Sequence, residues 1–89
     1  LSTQDNSISN IKIWPNPVND KLNINFVLIS NRTKISLYDV LGKEIYQDYL
    51  NTNSSVLDYS INTESLPKGF YILNITNGTS NYNKKIIIN

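Results

Sequence analysis

The side chains that most often do chemistry at neutral pH are missing from this chain. It has no His, no Cys and no Met. That removes the usual general base, the thiolate nucleophile and the soft metal ligands. A His/Cys zinc centre, a Cys–His dyad and a Ser–His–Asp triad are excluded by composition alone. What remains is a scatter of carboxylates, of which Asp39, Glu44, Asp48, Asp58 and Glu64 lie in or beside the expected middle strands. Glu44 and Asp48 have the even spacing that puts two residues on one face of a strand. A glycosidase pair must also flank a cleft at a set separation, and nothing in the sequence predicts a cleft. The carboxylates are therefore expected on solvated strand faces, with no catalytic residues. Calcium needs oxygen ligands clustered at loop spacing. Asp5-Asn6-Ser7 and Asn19-Asp20 are too sparse, so neither a metal nor a cofactor is expected. Trp14, with six tyrosines elsewhere, has the chemistry of a sugar-stacking platform, but a lone Trp closing a strand is expected to plug the core. Four Asn-X-Ser/Thr triplets begin at Asn31, Asn53, Asn74 and Asn77. In a chain with 15 Asn they carry no weight.

The elements that position these residues are strands. Ala is absent, while Ile contributes 13 residues and Tyr 6; Ala is the best helix former, and Ile and Tyr fit a pleated sheet. The Asn excess follows codon composition: Asn, Ile, Lys, Tyr and Phe total 43 residues, against 7 for Gly, Ala, Arg and Pro. At 89 residues there is room for one domain that hides roughly 60% of its unfolded surface. A net charge of +1 gives no footprint for nucleic acid. The longest apolar run, Phe26-Val27-Leu28-Ile29, is strand-sized, so no direct membrane insertion is expected. The chain begins at Leu1 and reads as a piece of something larger. Residues 1–10 are polar and expected to be a linker, with the domain spanning 11–89.

Leu22, Ile24 and Phe26 alternate with Lys21, Asn23 and Asn25, the mark of a half-buried strand. Ile35 and Leu37 repeat it, and Tyr71, Leu73 and Ile75 complete the expected core. Pro15-Asn16-Pro17 predicts a stiff, extended crossing. Gly42 suits a tight turn needing positive φ. Asn77-Gly78 predicts a hairpin that pairs Phe70–Ile75 with Tyr82–Ile88. Leu66-Pro67-Lys68-Gly69-Phe70-Tyr71 reads as a structural corner built on Pro67, Gly69 and Tyr71, in which the Tyr hydroxyl reaches upstream backbone. About seven strands, with turn signals every 8–12 residues or so, suit an immunoglobulin-like sandwich.

Four pieces stand in one order. They are Pro15-Asn16-Pro17, Leu37-Tyr38-Asp39-Val40-Leu41-Gly42-Lys43, Leu66-Pro67-Lys68-Gly69-Phe70-Tyr71-Ile72-Leu73, and Lys84-Lys85-Ile86-Ile87-Ile88. Together they resemble the type A C-terminal sorting domain of the type IX secretion system. The resemblance implies a seven-stranded immunoglobulin-like antiparallel β-sandwich that is an address tag and not an enzyme. It implies a passenger domain ahead of the tag, carried through the periplasm and across the outer membrane to the cell surface or beyond. It implies two partners: the secretion machinery, and a sortase-like cysteine peptidase that cuts before the domain. The passenger is then released or joined to an anionic lipopolysaccharide. Family members often end in Lys or Arg, and this chain departs from that at Asn89. The residues put forward for recognition are Pro15, Asn16, Pro17, Gly42, Lys43, Lys84, Lys85, Ile86, Ile87 and Ile88. Lys84 and Lys85 are expected to be presented together, with the backbone of the last residues open to strand addition. The rival readings are an immunoglobulin- or fibronectin-like adhesion or spacer module, and a carbohydrate-binding accessory sandwich.

Overall fold

Side-chain alternation drives seven strands: β1 (Lys12–Trp14), β2 (Lys21–Val27), β3 (Arg32–Tyr38), β4 (Glu44–Asn51), β5 (Val56–Asn62), β6 (Gly69–Asn77) and β7 (Ser80–Ile88). The computed structural model describes residues 11–15, 17–28 and 30–89. The expected linker, residues 1–10, and Asn16 lie outside the described residues. The strands form two antiparallel sheets, ordered β1-β2-β5 and β4-β3-β6-β7.

One apolar face of each sheet feeds a single core. Leu22, Ile24, Phe26, Leu57 and Ile61 come from the first sheet, and Ile35, Leu37, Tyr71, Leu73, Ile75, Ile86 and Ile88 from the second. Each of the eight core residues expected from alternation is buried. Burial of side chains this size contributes about 1.5–3 kcal/mol apiece before entropy is counted.

Three local features depart from simple alternation. The register of β3 against β4 runs Leu37↔Tyr46 and then Tyr38↔Glu44, so Ile45 is the extra residue of a bulge. The chain between β1 and β2 leaves the first sheet and touches the second. There the Val18 N–H donates to the Ile87 carbonyl at 2.7 Å, and the Val18 carbonyl accepts from the Asn89 N–H at 2.8 Å. The β6–β7 connection pairs Asn77 with Ser80, so the loop residues are Gly78-Thr79 and not Asn77-Gly78. Gly78 takes φ +63°, which a residue with a Cβ adopts at a cost.

A polar clasp closes the side where β4 and β5 stand as edges. The Tyr59 hydroxyl donates to Asp48 Oδ2 at 2.5 Å and is hydrogen-bonded to the Tyr46 hydroxyl, joining the two sheets. Burial, then the bonds to Asp48 and Tyr46, push the Tyr59 hydroxyl well above the ordinary phenol range.

Candidate functional site

Strand direction gathers the four sequence segments at one end. β1 ends at Trp14, β3 at Tyr38, β5 at Asn62 and β7 at Ile88, while β2, β4 and β6 begin there. The crossing at residues 15 and 17–20, the turn at 39–43, the corner at 63–68 and the end of β7 therefore form one rim. Entry into β1 and the β2–β3, β4–β5 and β6–β7 turns lie at the other end.

Backbone bonds hold the rim together. Val18 ties the crossing to β7, and the Thr63 N–H donates to the Asp20 carbonyl at 2.8 Å, tying the corner to the same crossing. Within the corner, the Tyr71 hydroxyl donates to the Pro67 carbonyl at 2.5 Å. In the β3–β4 turn one Asp39 carboxylate oxygen accepts from the N–H groups of both Leu41 and Lys43, each at 2.9 Å. Gly42 takes φ +84° and its N–H donates to the Asp39 carbonyl at 3.0 Å. Asp39 is thus the residue that shapes this turn. Its position just before a Leu-Gly-Lys turn was the available signal, since Asp side chains bond backbone two residues on.

These bonds leave apolar side chains pointing out. Val40 is 72% exposed and Leu41 89%. Beside them Phe70 and Ile72 stand on the outer face of β6, and the Lys85 ammonium sits 4.3 Å from the centre of the Phe70 ring. Tyr38, Val40, Gly42, Phe70, Ile72 and Lys85 line an open groove of about 490 Å³. A contiguous exposed apolar patch rimmed by charge is the mark of an interaction site.

The residues put forward for recognition divide. Pro15, Pro17, Gly42, Lys43 and Lys85 are exposed at the rim. Ile86 and Ile88 are not surface residues: opposite Tyr71 and Gly69, they point into the core and are buried. Ile87, half-buried, lies on the outer face opposite Phe70. Lys84 and Lys85 are not presented together, because consecutive strand residues face opposite ways. Lys84, opposite Leu73, turns to the side between β7 and β1, near Ile11, Trp14 and Tyr82. The backbone of the last residues is not open either, since Val18 occupies the Ile87 carbonyl and the Asn89 N–H.

Two further expectations are corrected. Glu44 and Asp48 do not share a face, because the bulge at Ile45 turns Glu44 outward to meet Lys34 at 3.6 Å while Asp48 turns in toward Tyr59. Asp48 is thus a half-buried acceptor for Tyr59 and not a freely solvated carboxylate. Trp14 does not plug the core. It is 46% exposed, because alternation gives the inward position of β1 to Ile13. Among the described residues no three His, Cys, Asp or Glu side chains come close enough to hold a metal ion.

At the rim this small two-sheet domain exposes an apolar groove with Asp39 and Lys85 among its lining residues. Comparison with known proteins identifies its family. Residues 12–89 match the family model for the secretion system C-terminal sorting domain, and the chain belongs to that family. It is also 30% identical, over its whole length, to part of an ulvan lyase from Nonlabens ulvanivorans. The chain spans 16% of the length of that relative, a larger protein. The domain is a type IX secretion C-terminal sorting signal. It marks a preceding passenger for export across the outer membrane to the cell surface or the medium.

Proposed function

We propose that the rim is the surface the secretion machinery reads, and that the docking element is the apolar patch of Val40, Leu41, Phe70 and Ile72 with Lys43 and Lys85 at its edge. One observation carries this: the sequence segments, far apart in the chain, meet at one end, where backbone bonds through Val18 and Asp20 join the crossing to β7 and to the corner and the Asp39 carboxylate fixes the β3–β4 turn. Apolar anchors surrounded by charge supply affinity and steering respectively. The chain enters β1 at the opposite end, so a passenger fused ahead of Ile11 leaves the rim clear. On this reading the sortase-like peptidase cuts within the polar residues ahead of Ile11, and the domain itself performs no catalysis.

The fold supports an immunoglobulin-like sandwich: two sheets over one core, a corner Tyr bonded to backbone four residues upstream, and a connection between β1 and β2 that bridges to the second sheet at Val18. Its strands divide three and four, with β4 beside β3. The test is export of a reporter passenger from a type IX-competent host. Val40→Ser with Leu41→Ser, at turn positions that contribute little packing, should abolish export and leave the melting temperature unchanged. Export at the wild-type level would show that the machinery reads another surface.

A second reading has one observation in its favour. Half-exposed Trp14 lies over the outer face of the first sheet beside Asn23, Asp58 and Ser60, an aromatic plate edged with hydrogen-bonding groups. Because Trp14 is the one tryptophan, its emission titrated with laminarin and xylan tests sugar binding directly. No saturable change rejects it.

A further inference from the structure

Asn77 is the least expected buried side chain in the domain. It is 0% exposed at the end of β6, where its amide nitrogen lies 2.9 Å from the Ser30 carbonyl, 3.1 Å from the Arg32 carbonyl and 2.8 Å from Thr33 Oγ1. Its Oδ1 accepts from the Ser30 N–H at 3.1 Å. The side chain therefore does the work of backbone for the β2–β3 turn. An acid in its place has no hydrogen to give these acceptors. The next residue is equally fixed. Gly78 holds positive φ, and a Cβ on it would stand 2.9 Å from Ser30 Cβ.

The fold thus requires Asn followed by Gly, the pair of residues chemically most open to attack of a backbone nitrogen on the preceding side-chain amide. Glycine leaves that approach unhindered. We propose that Asn77-Gly78 is a latent deamidation site that folding closes and unfolding opens. This inference is independent of the rim's role in sorting. In the unfolded chain the Gly78 nitrogen gives its proton to base and attacks Asn77 Cγ. The Cγ–Nδ2 bond breaks, ammonia leaves with a proton, and a five-membered imide remains. Water then opens the ring at either carbonyl, leaving aspartate or isoaspartate at position 77. No oxidant or reductant is involved.

In the folded chain each part of that step is blocked. The Gly78 N–H is held by the Arg32 carbonyl at 3.2 Å, the Asn77 amide is pinned on both its atoms, and burial keeps water from the Asn77 carboxamide. The modification is also one-way for the fold. A carboxylate at position 77 faces two carbonyl oxygens and a hydroxyl with no water to solvate it. Isoaspartate adds a backbone methylene next to a two-residue loop. A chain that lingers unfolded loses, at this one peptide, the ability to reach the native sheet.

The experiment holds the protein at mildly alkaline pH, native in one arm and in concentrated urea in the other, and follows the amide-to-acid mass change by peptide mapping. Asn53, exposed in the β4–β5 turn and followed by Ser54, is the internal control. Asn77 should convert readily in urea and be suppressed by roughly a hundredfold or more in the native arm, because exchange through opening scales with the open population. Asn53 should differ little between arms. After urea is removed, chains modified at Asn77 should stay unfolded by circular dichroism while unmodified chains refold. Three outcomes overturn the proposal: no conversion of Asn77 in urea, conversion in the native arm within a few-fold of that in urea, or modified chains that refold with an unchanged melting transition.

Discussion

The two ends of this domain solve the same problem, tying loops from both sheets together, with opposite materials. At the turn end a side chain does it: Asn77 is spent on Ser30, Arg32 and Thr33. At the rim, backbone does most of it, through Val18 to Ile87 and Asn89 and through Asp20 to Thr63. The consequence is that side chains at the turn end are consumed by folding. At the rim Val40, Leu41, Phe70, Lys43 and Lys85 stay exposed. On the proposed reading a partner meets them there, and main-chain bonding at the rim keeps these groups out of the domain's own stability.

The largest expected effect ignores the distinction. Leu73, fully buried in β6, lies between β3 and β7. Leu73→Ala should cost about 2–5 kcal/mol in urea unfolding, and both ends should fail together. A smaller loss should come from the turn end. Asn77→Ala strips a donor from three acceptors and an acceptor from the Ser30 N–H, and a single buried group left unpaired costs about 1–3 kcal/mol. Some relaxation is available at the turn, so a loss of about 2–3 kcal/mol is expected. Export of this variant should fall only as far as its folded fraction does. Export lost at temperatures where it is still folded would mean that the turn end is read as well.

Tyr71→Phe tests a rim bond made by a buried side chain. Removing the hydroxyl leaves the Pro67 carbonyl, an exposed residue's oxygen, to water, so about 1–1.5 kcal/mol should be lost by thermal melting. A loss above 3 kcal/mol or so would mean that the corner holds the rim more than the crossing does.

Much of this was legible in the sequence, for identifiable reasons. The period-2 runs of β2, β3 and β6 report burial directly, because one face of each is in the core. The order of the four segments gave the family. What stayed hidden depends on register. Whether Glu44 and Asp48 share a face turns on one bulged residue, Ile45, and nothing in Glu44-Ile45-Tyr46 marks it. The β7 run Lys84-Lys85-Ile86-Ile87-Ile88 looks like a basic, apolar tail. Only its pairing with β6 separates buried Ile86 and Ile88 from outward Lys85. Asn77 was visible as half of a turn signal, but the turn begins one residue later. A side chain that bonds residues 44–47 positions away leaves no local trace. Trp14 misled because bulk argues for burial, whereas alternation with Ile13 decides it.

The finest test of the comparison uses two adjacent lysines. Lys85 stands outward over Phe70, and its exposed contact with the ring is worth about 0.5–1 kcal/mol. Lys85→Glu should therefore move the melting temperature very little. It also replaces a cation at the groove's edge with an anion, and a like-charge contact against a partner suited to lysine costs far more than the lost attraction. Export should drop sharply. Lys84 is half-buried on the other face, with its stem near Ile11, Trp14 and Tyr82. Lys84→Glu brings a shorter chain and a charge that must be solvated in the same place, so its melting temperature should fall by more than that of Lys85→Glu. Its export should follow the folded fraction. Neighbours in sequence would then separate stability from recognition through strand alternation alone. If Lys84→Glu blocked export at full stability while Lys85→Glu exported normally, the machinery would be reading the side of the domain between β7 and β1, and the rim's apolar patch would need another occupant.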